Sequence, residues 1–298
     1  MNCPICDCPE FVLIQTEPAT RSATTALPEA MMVSVVTCSR CSFMYVKRDF
    51  NEALLSQFYS HPASATIAAD MEAFRWWHQN TAHANRHILR LLERNAGTST
   101  RTLLEVGCGR GTFLYDASHR GWKVTGMEIC EPLANFVEQQ LRFPVMRCDL
   151  KDVGGSYDAI VLFDVLEHIY DPITMLQDVK RLLNPGGLVV IKSPFGKTQL
   201  AKERLKKQFG LGSGDVATIG HINLFSPETL NQAFIHAGFR PLTVVPALSF
   251  PPGIRGAGLR PELWFKYALI QTMNHITSSV HALTGLNIGF NLVGLARA

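Results

Sequence analysis

The segment Thr102-Leu-Leu-Glu-Val-Gly-Cys-Gly-Arg-Gly111 constrains this chain more than any other stretch. A short apolar run, Thr102 to Val106, passes straight into three alternating glycines, Gly107, Gly109 and Gly111, and a helical pattern (Phe113, Leu114, Ala117) starts at once. Glycines at a strand-to-helix turn let the backbone turn sharply and let a ligand approach it closely, because no Cβ intervenes. The spacing is G-x-G-x-G, with Thr112 where a dinucleotide fold carries its third glycine. It therefore favours a nucleoside ligand without a pyrophosphate over NAD or FAD. No Gly-Lys-Ser/Thr follows, which excludes a phosphate loop.

The segments that follow repeat the arrangement. Lys123 to Met127 reads as a strand ending in Glu128, about 20 residues past the first glycine, the interval at which an acid meets ribose hydroxyls. Pro144 to Cys148 ends in Asp149, Tyr157 to Phe163 ends in Asp164, and Leu182-Leu-Asn-Pro-Gly-Gly187 leads into Leu188 to Lys192. Strands that alternate with helical patterns and deliver acids or glycine turns at their C-terminal ends predict an α/β, doubly wound, mostly parallel sheet with its ligand at that edge.

These stretches, Glu105-Val-Gly-Cys-Gly-Arg-Gly111, Gly126-Met-Glu128, Cys148-Asp-Leu150, Phe163-Asp-Val-Leu-Glu-His168 and Leu183-Asn-Pro-Gly-Gly187, resemble the class I S-adenosylmethionine-dependent methyltransferases. The resemblance is to the subgroup of ubiquinone-type and sugar or natural-product methylases, and it covers residues 102–194 in order. It implies a seven-stranded, Rossmann-like sheet and S-adenosylmethionine as cofactor. The glycine turn, Gly107, Cys108, Gly109 and Gly111, would then admit the methionine end, and Glu105 would favour its amino group. Glu128 would accept from the ribose diol, since a carboxylate can accept several hydrogen bonds. Asp149 would accept from the adenine amino group, with Ile129, Leu150 and Phe163 over the ring faces.

The chain has eight cysteines, and two pairs of them share one spacing: Cys3-x-x-Cys6 and Cys38-x-x-Cys41. Two C-x-x-C knuckles in an intracellular chain predict a structural zinc held by four thiolates, although the gap between the pairs is long for such sites. Cys8 is a rival to Cys6 but lacks a partner at knuckle spacing. The strand-like stretches Phe11 to Ile14 and Met32 to Val36 suit a small ribbon over residues 1–48. The resemblance extends here, since many members of the subgroup carry an N-terminal zinc ribbon followed by a Tyr-rich stretch like Tyr45 to Tyr59. Cys108, Cys130 and Cys148 fit better as small core residues.

Residues 49–97 read as a helical linker and cofactor lid. Phe74, Trp77, Thr81, Ala84, Ile88 and Leu91 recur at helix spacing. The aromatics Phe58, Tyr59, Phe74, Trp76 and Trp77 pack this helix on the sheet or, as the resemblance implies, cover the cofactor. Residues 98–298 form the main domain, with helices over 111–120 and 131–141. Asp171-Pro172 and Ser226-Pro227 each read as an N-cap followed by proline in the first turn. Residues 195–225 read as an insertion that covers the substrate, and residues 246–262 as a Pro/Gly-rich linker. Leu269, Met273, Ile276, Val280 and Leu283 mark a helix within the C-terminal part, 260–298. A last strand, Phe290 to Leu295, is expected to close the sheet antiparallel.

Methyl transfer from a sulfonium is an in-line displacement, so a protein mainly aligns the nucleophile and removes its proton. A hydroxyl of high pKa needs a base, and histidine is the usual choice. His221, at the end of the insertion, is the first candidate. Asp164 and His168, just after the fourth strand of the domain, are the others; each histidine has a bland alternative in which it only bonds or packs within its loop. A small-molecule acceptor is expected, a hydroxyl of a sugar, glycan precursor or secondary metabolite. The basic stretch Lys197, Lys202, Arg204, Lys206 and Lys207 fits either a solvated helix face or recognition of a phosphorylated or nucleotide-linked acceptor. The zinc ribbon opens an alternative, an RNA- or protein-directed methyltransferase. A net charge of only +3, with Arg21 and Arg40 the sole basic residues in 1–41, argues against nucleic acid. No apolar run is long enough to span a bilayer and the N-terminus lacks signal character, so a cytoplasmic location is expected.

Overall fold

The computed structural model describes residues 2–18, 32–50, 53, 69–97, 101–208, 221–247 and 291–298. Phe58, Tyr59, the glycine-rich Gly210 to Gly214, the linker from 248 onward and the expected helix Leu269 to Leu283 lie outside the described residues, as do the side chains of Lys202, Lys206 and Lys207.

The main sheet is built from β4 (Thr102–Val106), β5 (Lys123–Met127), β6 (Val145–Met146), β7 (Tyr157–Phe163), β8 (Leu183–Pro194), β10 (Arg240–Ala247) and β11 (Asn291–Arg297). Its seven strands lie in the order β10-β11-β8-β7-β4-β5-β6. The pairs from β8 to β6 are parallel, and β11 is antiparallel to both β8 and β10. This is the doubly wound, mostly parallel architecture expected from the alternation of strands and helices, with the last strand inserted antiparallel.

Strand side chains alternate between faces, and the two faces gather separate cores. Leu104, Val106, Ile160 and Leu162 pack toward α4 (Pro172–Arg181) and α6 (Pro227–His236), through Leu176, Val179, Leu230 and Phe234. Leu103, Ala159, Val161 and Val190 pack toward α1 (Met71–Asn95), α2 (Thr112–Ser118) and α3 (Glu131–Phe136), through Leu89, Leu92, Phe113, Leu114 and Ala134. A sheet covered on both faces explains why its strands are apolar throughout rather than alternating.

The caps expected from sequence form. Asp171 accepts from the Thr174 N–H at 3.0 Å, and Ser226 and Thr229 make a reciprocal capping box. Helix α1 differs in which face it buries. Its buried residues are Phe74, Asn85, Ile88, Leu89 and Leu92, whereas Trp77 is exposed. The cause is polar: the Asn85 amide donates to Asp116 at 2.8 Å, and His78 bonds the other oxygen of the same carboxylate at 2.7 Å, so the helix turns that side inward.

The N-terminal ribbon comprises β1 (Phe11–Pro18), β2 (Met32–Cys38) and β3 (Met44–Val46), antiparallel in that order. It does not stop there. β9 (Asn223–Leu224), from the end of the insertion, pairs with β3 as a fourth strand, with Tyr45 opposite Asn223. Cys38, Phe43 and Tyr45 join the same core as β4 and β7. The insertion itself begins as α5 (Gly196–Gln208). Among the described residues no helix is long and apolar enough to cross a membrane.

Candidate functional site

The parallel register brings the C-terminal ends of the central strands level. Val106 lies opposite Met127 and Leu162, and Phe163 lies opposite Lys192. β5 and β6 run to one side of β4 and β7 to the other, so the edge at Gly107 is the switch point where such sheets bind ligands.

The three glycines of the turn have different jobs. All have positive φ, at 69°, 53° and 69° for Gly107, Gly109 and Gly111, a region that costs other residues roughly 1–2 kcal/mol. A Cβ on Gly107 would sit 2.7 Å from Val165 Cγ2, and one on Gly111 would press on Leu141 and Val137 at 3.1 Å. Those two allow packing inside the protein. A Cβ on Gly109 would meet nothing within 4 Å, so Gly109 alone presents its backbone to open space. Met127 C=O accepts from the N–H groups of both Gly107 and Cys108, at 2.8 and 3.0 Å, which pins the turn to β5.

Glu128 completes the turn. Its Oε2 accepts from the Gly109 N–H and its Oε1 from the Cys130 N–H, each at 2.8 Å. Each oxygen keeps a lone pair, so the carboxylate is held in place while still able to accept a diol. Glu105 is 4% exposed, and burial pushes its carboxyl well above the usual range, opposed by the Leu114 backbone N–H in the first turn of α2. Its Oε2 has no hydrogen-bond partner. An orphaned buried acid beside an open glycine backbone fits a ligand with a cationic amino group.

The other expected contacts are spread along the rim. Asp149 is exposed and pairs with Lys151 at 3.3 Å, Ile129 is 66% exposed, and Phe163 is half-buried, edge-on to Phe113. Leu150 is buried in the core with Met127. Cys108 is also buried and packs on Gly126, where a Cβ would lie 2.7 Å from its Sγ; burial keeps this thiol protonated. Of the aromatics on α1, Phe74 is core, stacked on His78, while Trp77 lies under the Arg110 guanidinium at 5.3 Å, beside the glycine turn.

His168 and His221, from segments 53 residues apart, come together with ring centroids separated by 4.8 Å. Gln199 of α5 reaches His221 Nδ1 at 3.3 Å. Asp164 stands nearby at the end of β7 with a φ of 55°, and its carboxylate is engaged by Lys192. The residue that sequence reasoning missed is Glu167. It is 1% exposed, its Oε1 lies 4.0 Å from His168 Nε2, and it forms a cluster with both histidines in which donor atoms lie within 4.8 Å of one another. Neither carboxyl oxygen has a hydrogen-bond partner, and burial, reinforced by the Asp164 charge, pushes the group up to about 8. The adjacent Glu-His pair was visible in the sequence, but its burial was not.

At the far end of the ribbon the four expected cysteines converge. Cys3 and Cys41 sulfurs are 3.6 Å apart, Cys6 and Cys38 are 3.5 Å apart, and none is in a disulfide. The two knuckles are the same turn made twice. Cys3 N–H donates to Cys8 C=O and Asp7 N–H to Cys3 C=O; Cys38 N–H donates to Phe43 C=O and Ser42 N–H to Cys38 C=O. The left-handed residue of each is Asp7 or Ser42. A tetrahedral zinc with bonds of about 2.3 Å needs sulfurs about 3.8 Å apart, close to what is found. Burial pushes the Cys3 thiol up to about 12, so a bound cation would favour the thiolate form of the cluster. Cys8 lies outside the cluster, its sulfur directed at Glu10 C=O.

The methyltransferase domain family matches residues 76–244, more than half of the chain. A ubiquinone biosynthesis O-methyltransferase of Pseudomonas paraeruginosa is 30% identical over 135 residues, covering 41% of this chain and 58% of that protein. One from Sodalis glossinidius is 31% identical over 135 residues, covering 40% and 54%. The chain thus spans little more than half the length of the curated relatives it matches. Among solved structures, a complex of Haloferax volcanii between the Trm112 methyltransferase activator and a methyltransferase contains a chain that superposes with a TM-score of 0.53 at 15% identity, covering 79% of this chain and 95% of that one. At that identity the likeness is one of fold.

The buried Glu167 makes a prediction about stability. Between the ordinary carboxylate value of 4.5 and about 8, the folded protein keeps a proton that the unfolded chain has lost. Stability therefore falls as pH rises through that window, by up to about 1.4 kcal/mol per pH unit, and levels off above it. Urea unfolding from pH 5 to 8 should show a steeper fall in wild type than in Glu167→Gln. Glu105 is common to both proteins and cancels. Parallel curves for the two proteins would contradict the assignment.

Proposed function

We propose that this chain, which belongs to the methyltransferase domain family, transfers a methyl group from S-adenosylmethionine to a hydroxyl of a small-molecule acceptor. The observation that carries this is the open backbone of Gly109 braced by Glu128, beside the orphaned oxygen of Glu105. When bound, S-adenosylmethionine supplies a methyl group already activated on a sulfonium. Gly109 and Glu105 would hold its methionine end, Glu128 its ribose, and Asp149 with Ile129, Leu150 and Phe163 its adenine. Trp77 beside Arg110 would cover it.

The chain's remaining task is to orient the acceptor and take its proton. We assign the base to His221, steadied by Gln199 and packed against His168. His221 would take the hydroxyl proton as the acceptor oxygen is methylated; the methyl group, and the sulfur that accepts the released electron pair, would be supplied by S-adenosylmethionine when bound. The relatives' names favour oxygen as the acceptor atom. A paired-histidine base suits hydroxyls of high pKa, such as those of sugars, glycan precursors or secondary metabolites. The exposed Lys197 and Arg204 of α5 would suit a phosphorylated or nucleotide-linked form of the acceptor. The inner edge of the ribbon is occupied by β9, which favours an internal role for the ribbon over capture of RNA or protein. For the cysteine cluster we propose one structural zinc.

Three measurements test these assignments. Gly109→Val should abolish binding of S-adenosylhomocysteine, and Glu128→Gln should weaken it by about 1.5–3 kcal/mol through loss of charge-assisted bonds. Unchanged calorimetric affinity in both would exclude the site. Purified protein should carry about one zinc per chain, as a four-thiolate site requires; none, with Cys3, Cys6, Cys38 and Cys41 freely reactive in the folded protein, would exclude it. Transfer of labelled methyl to acceptors in a cell extract should fall about 10²–10⁴-fold in His221→Ala, the usual cost of losing a general base, with cofactor affinity kept. Full turnover in His221→Ala alongside its loss in His168→Ala or Asp164→Ala would move the base to the loop after β7.

A further inference from the structure

A line of buried polar contacts joins the ribbon to the histidine pair, and neither the cofactor site nor the cysteine cluster accounts for it. Val46 N–H, at the end of β3, donates to Ile222 C=O at 2.9 Å, and Ile222 N–H donates to Glu167 C=O at 2.9 Å. The residue next to His221 is therefore stitched to the ribbon on one side and to the loop carrying Glu167 and His168 on the other. Asn223 extends the line. It is 1% exposed; its Nδ2 donates to the carbonyls of Leu166 at 3.0 Å and Ile169 at 2.7 Å, and its Oδ1 accepts from Arg48 Nη2 at 2.8 Å. Arg48 also donates through Nε to Tyr170 C=O at 3.0 Å and through Nη1 to Val46 C=O at 3.3 Å, with its guanidinium over the Tyr170 ring.

Arg48 is the unusual member. It is 6% exposed, its hydrogen-bond acceptors are neutral oxygens, and among the described residues no carboxylate lies within ion-pair distance of it. Burying a charge with no carboxylate in contact is costly, and burial, partly offset by the more distant Asp171 charge, brings this guanidinium down to about 10. What the arginine offers in return is a planar fork of five donors that spans three acceptors on separate segments, a spread that lysine's compact ammonium lacks. Those acceptors belong to β3, to β9 and to the loop after β7, the three segments whose relative placement sets the separation of His168 and His221.

We propose that Arg48 and Asn223 are positioning residues that clamp the N-terminal ribbon to the 166–170 loop and thereby hold His168 and His221 together. This rests on the assignment of the base to the histidine pair. The ribbon then serves as a brace for that pair, and the cysteine knuckle Cys38 to Cys41, which leads directly into β3, anchors the brace.

The full chain labelled with ¹⁵N-histidine tests this through the ring signals of His168 and His221, with His78 and His119, on α1 and just after α2, as internal controls. Arg48→Met should shift the ring signals and titration of both site histidines and leave both controls in place. Asn223→Leu should do the same; it keeps about the same side-chain size without adding a charge and removes the two amide donors to the loop together with the acceptor for Arg48. Affinity for S-adenosylhomocysteine should stay within about two-fold of wild type, since that site shares no partner with the clamp. Unchanged rings at His168 and His221 in a folded variant, or equal changes at His78, would overturn the proposal. Should neither variant fold, the wild-type protein decides. The amide protons of Val46 and Ile222 should then exchange with a common protection, because one opening frees both, and widely separated protections would overturn it. Ring signals report placement whether or not His221 takes the proton, so full turnover in His221→Ala would fault the base assignment and leave this result intact.

Discussion

The carboxylate of Glu128 is the hinge of this structure. Its two oxygens accept from Gly109 N–H and Cys130 N–H, so one side chain ties the glycine turn after β4 to the turn after β5. Met127 C=O, one residue earlier, accepts from Gly107 and Cys108. The turn is thus shaped by hydrogen bonds before any ligand arrives, and the left-handed glycines are the residues that can follow that shape. Preorganisation of this kind lowers the ordering cost of binding. The sheet serves the same end. Its register levels the ends of β4, β5, β7 and β8, which puts Glu105, Gly109, Glu128, Asp164 and Lys192 along one edge.

The second half of the chemistry depends on a contact between distant parts of the chain. β9 is two residues long, too short to persist alone, yet it pairs with β3 and carries His221 toward His168. Buried polar groups make this junction specific: Asn223 has one acceptor and two donors in use, and Arg48 bonds three oxygens. Such networks are stabilising only when fully satisfied. Glu167, beside them, is not satisfied. A buried acid whose carboxyl is pushed up and which lies 4.0 Å from one of two packed histidines marks a candidate functional site.

Much of this was legible in the sequence because the signals are local. The glycine spacing, the acids at strand ends, the paired C-x-x-C knuckles and the Ser226 and Asp171 caps all depend on residues within a few positions of one another, where backbone geometry leaves few options. What was not legible depends on partners far along the chain. Periodicity placed Trp77 and Ala84 on the buried face of α1, but Asp116, 31 residues beyond Asn85, turns that helix. The three glycines read alike, yet Val165 and Val137 show that two of them serve packing. Arg48 and Asn223 are 175 residues apart, and neither belongs to a motif. Cys8 matched Cys6 by type and was set aside on spacing, and the fold of the knuckle turns its sulfur to Glu10 C=O.

Binding of a methyl donor at the edge formed by the glycine turn and the strand-end acids should be visible directly in solution. The most direct measurement is a titration of ¹⁵N-labelled protein with S-adenosylhomocysteine, followed through backbone amide signals. One-to-one saturation is expected, with the largest shifts at Gly107 to Gly111, at Glu128 to Cys130 and at Asp149 and Leu150, and none at the cysteine knuckles. Absence of saturable shifts, or shifts confined to the ribbon or to α4, would contradict it.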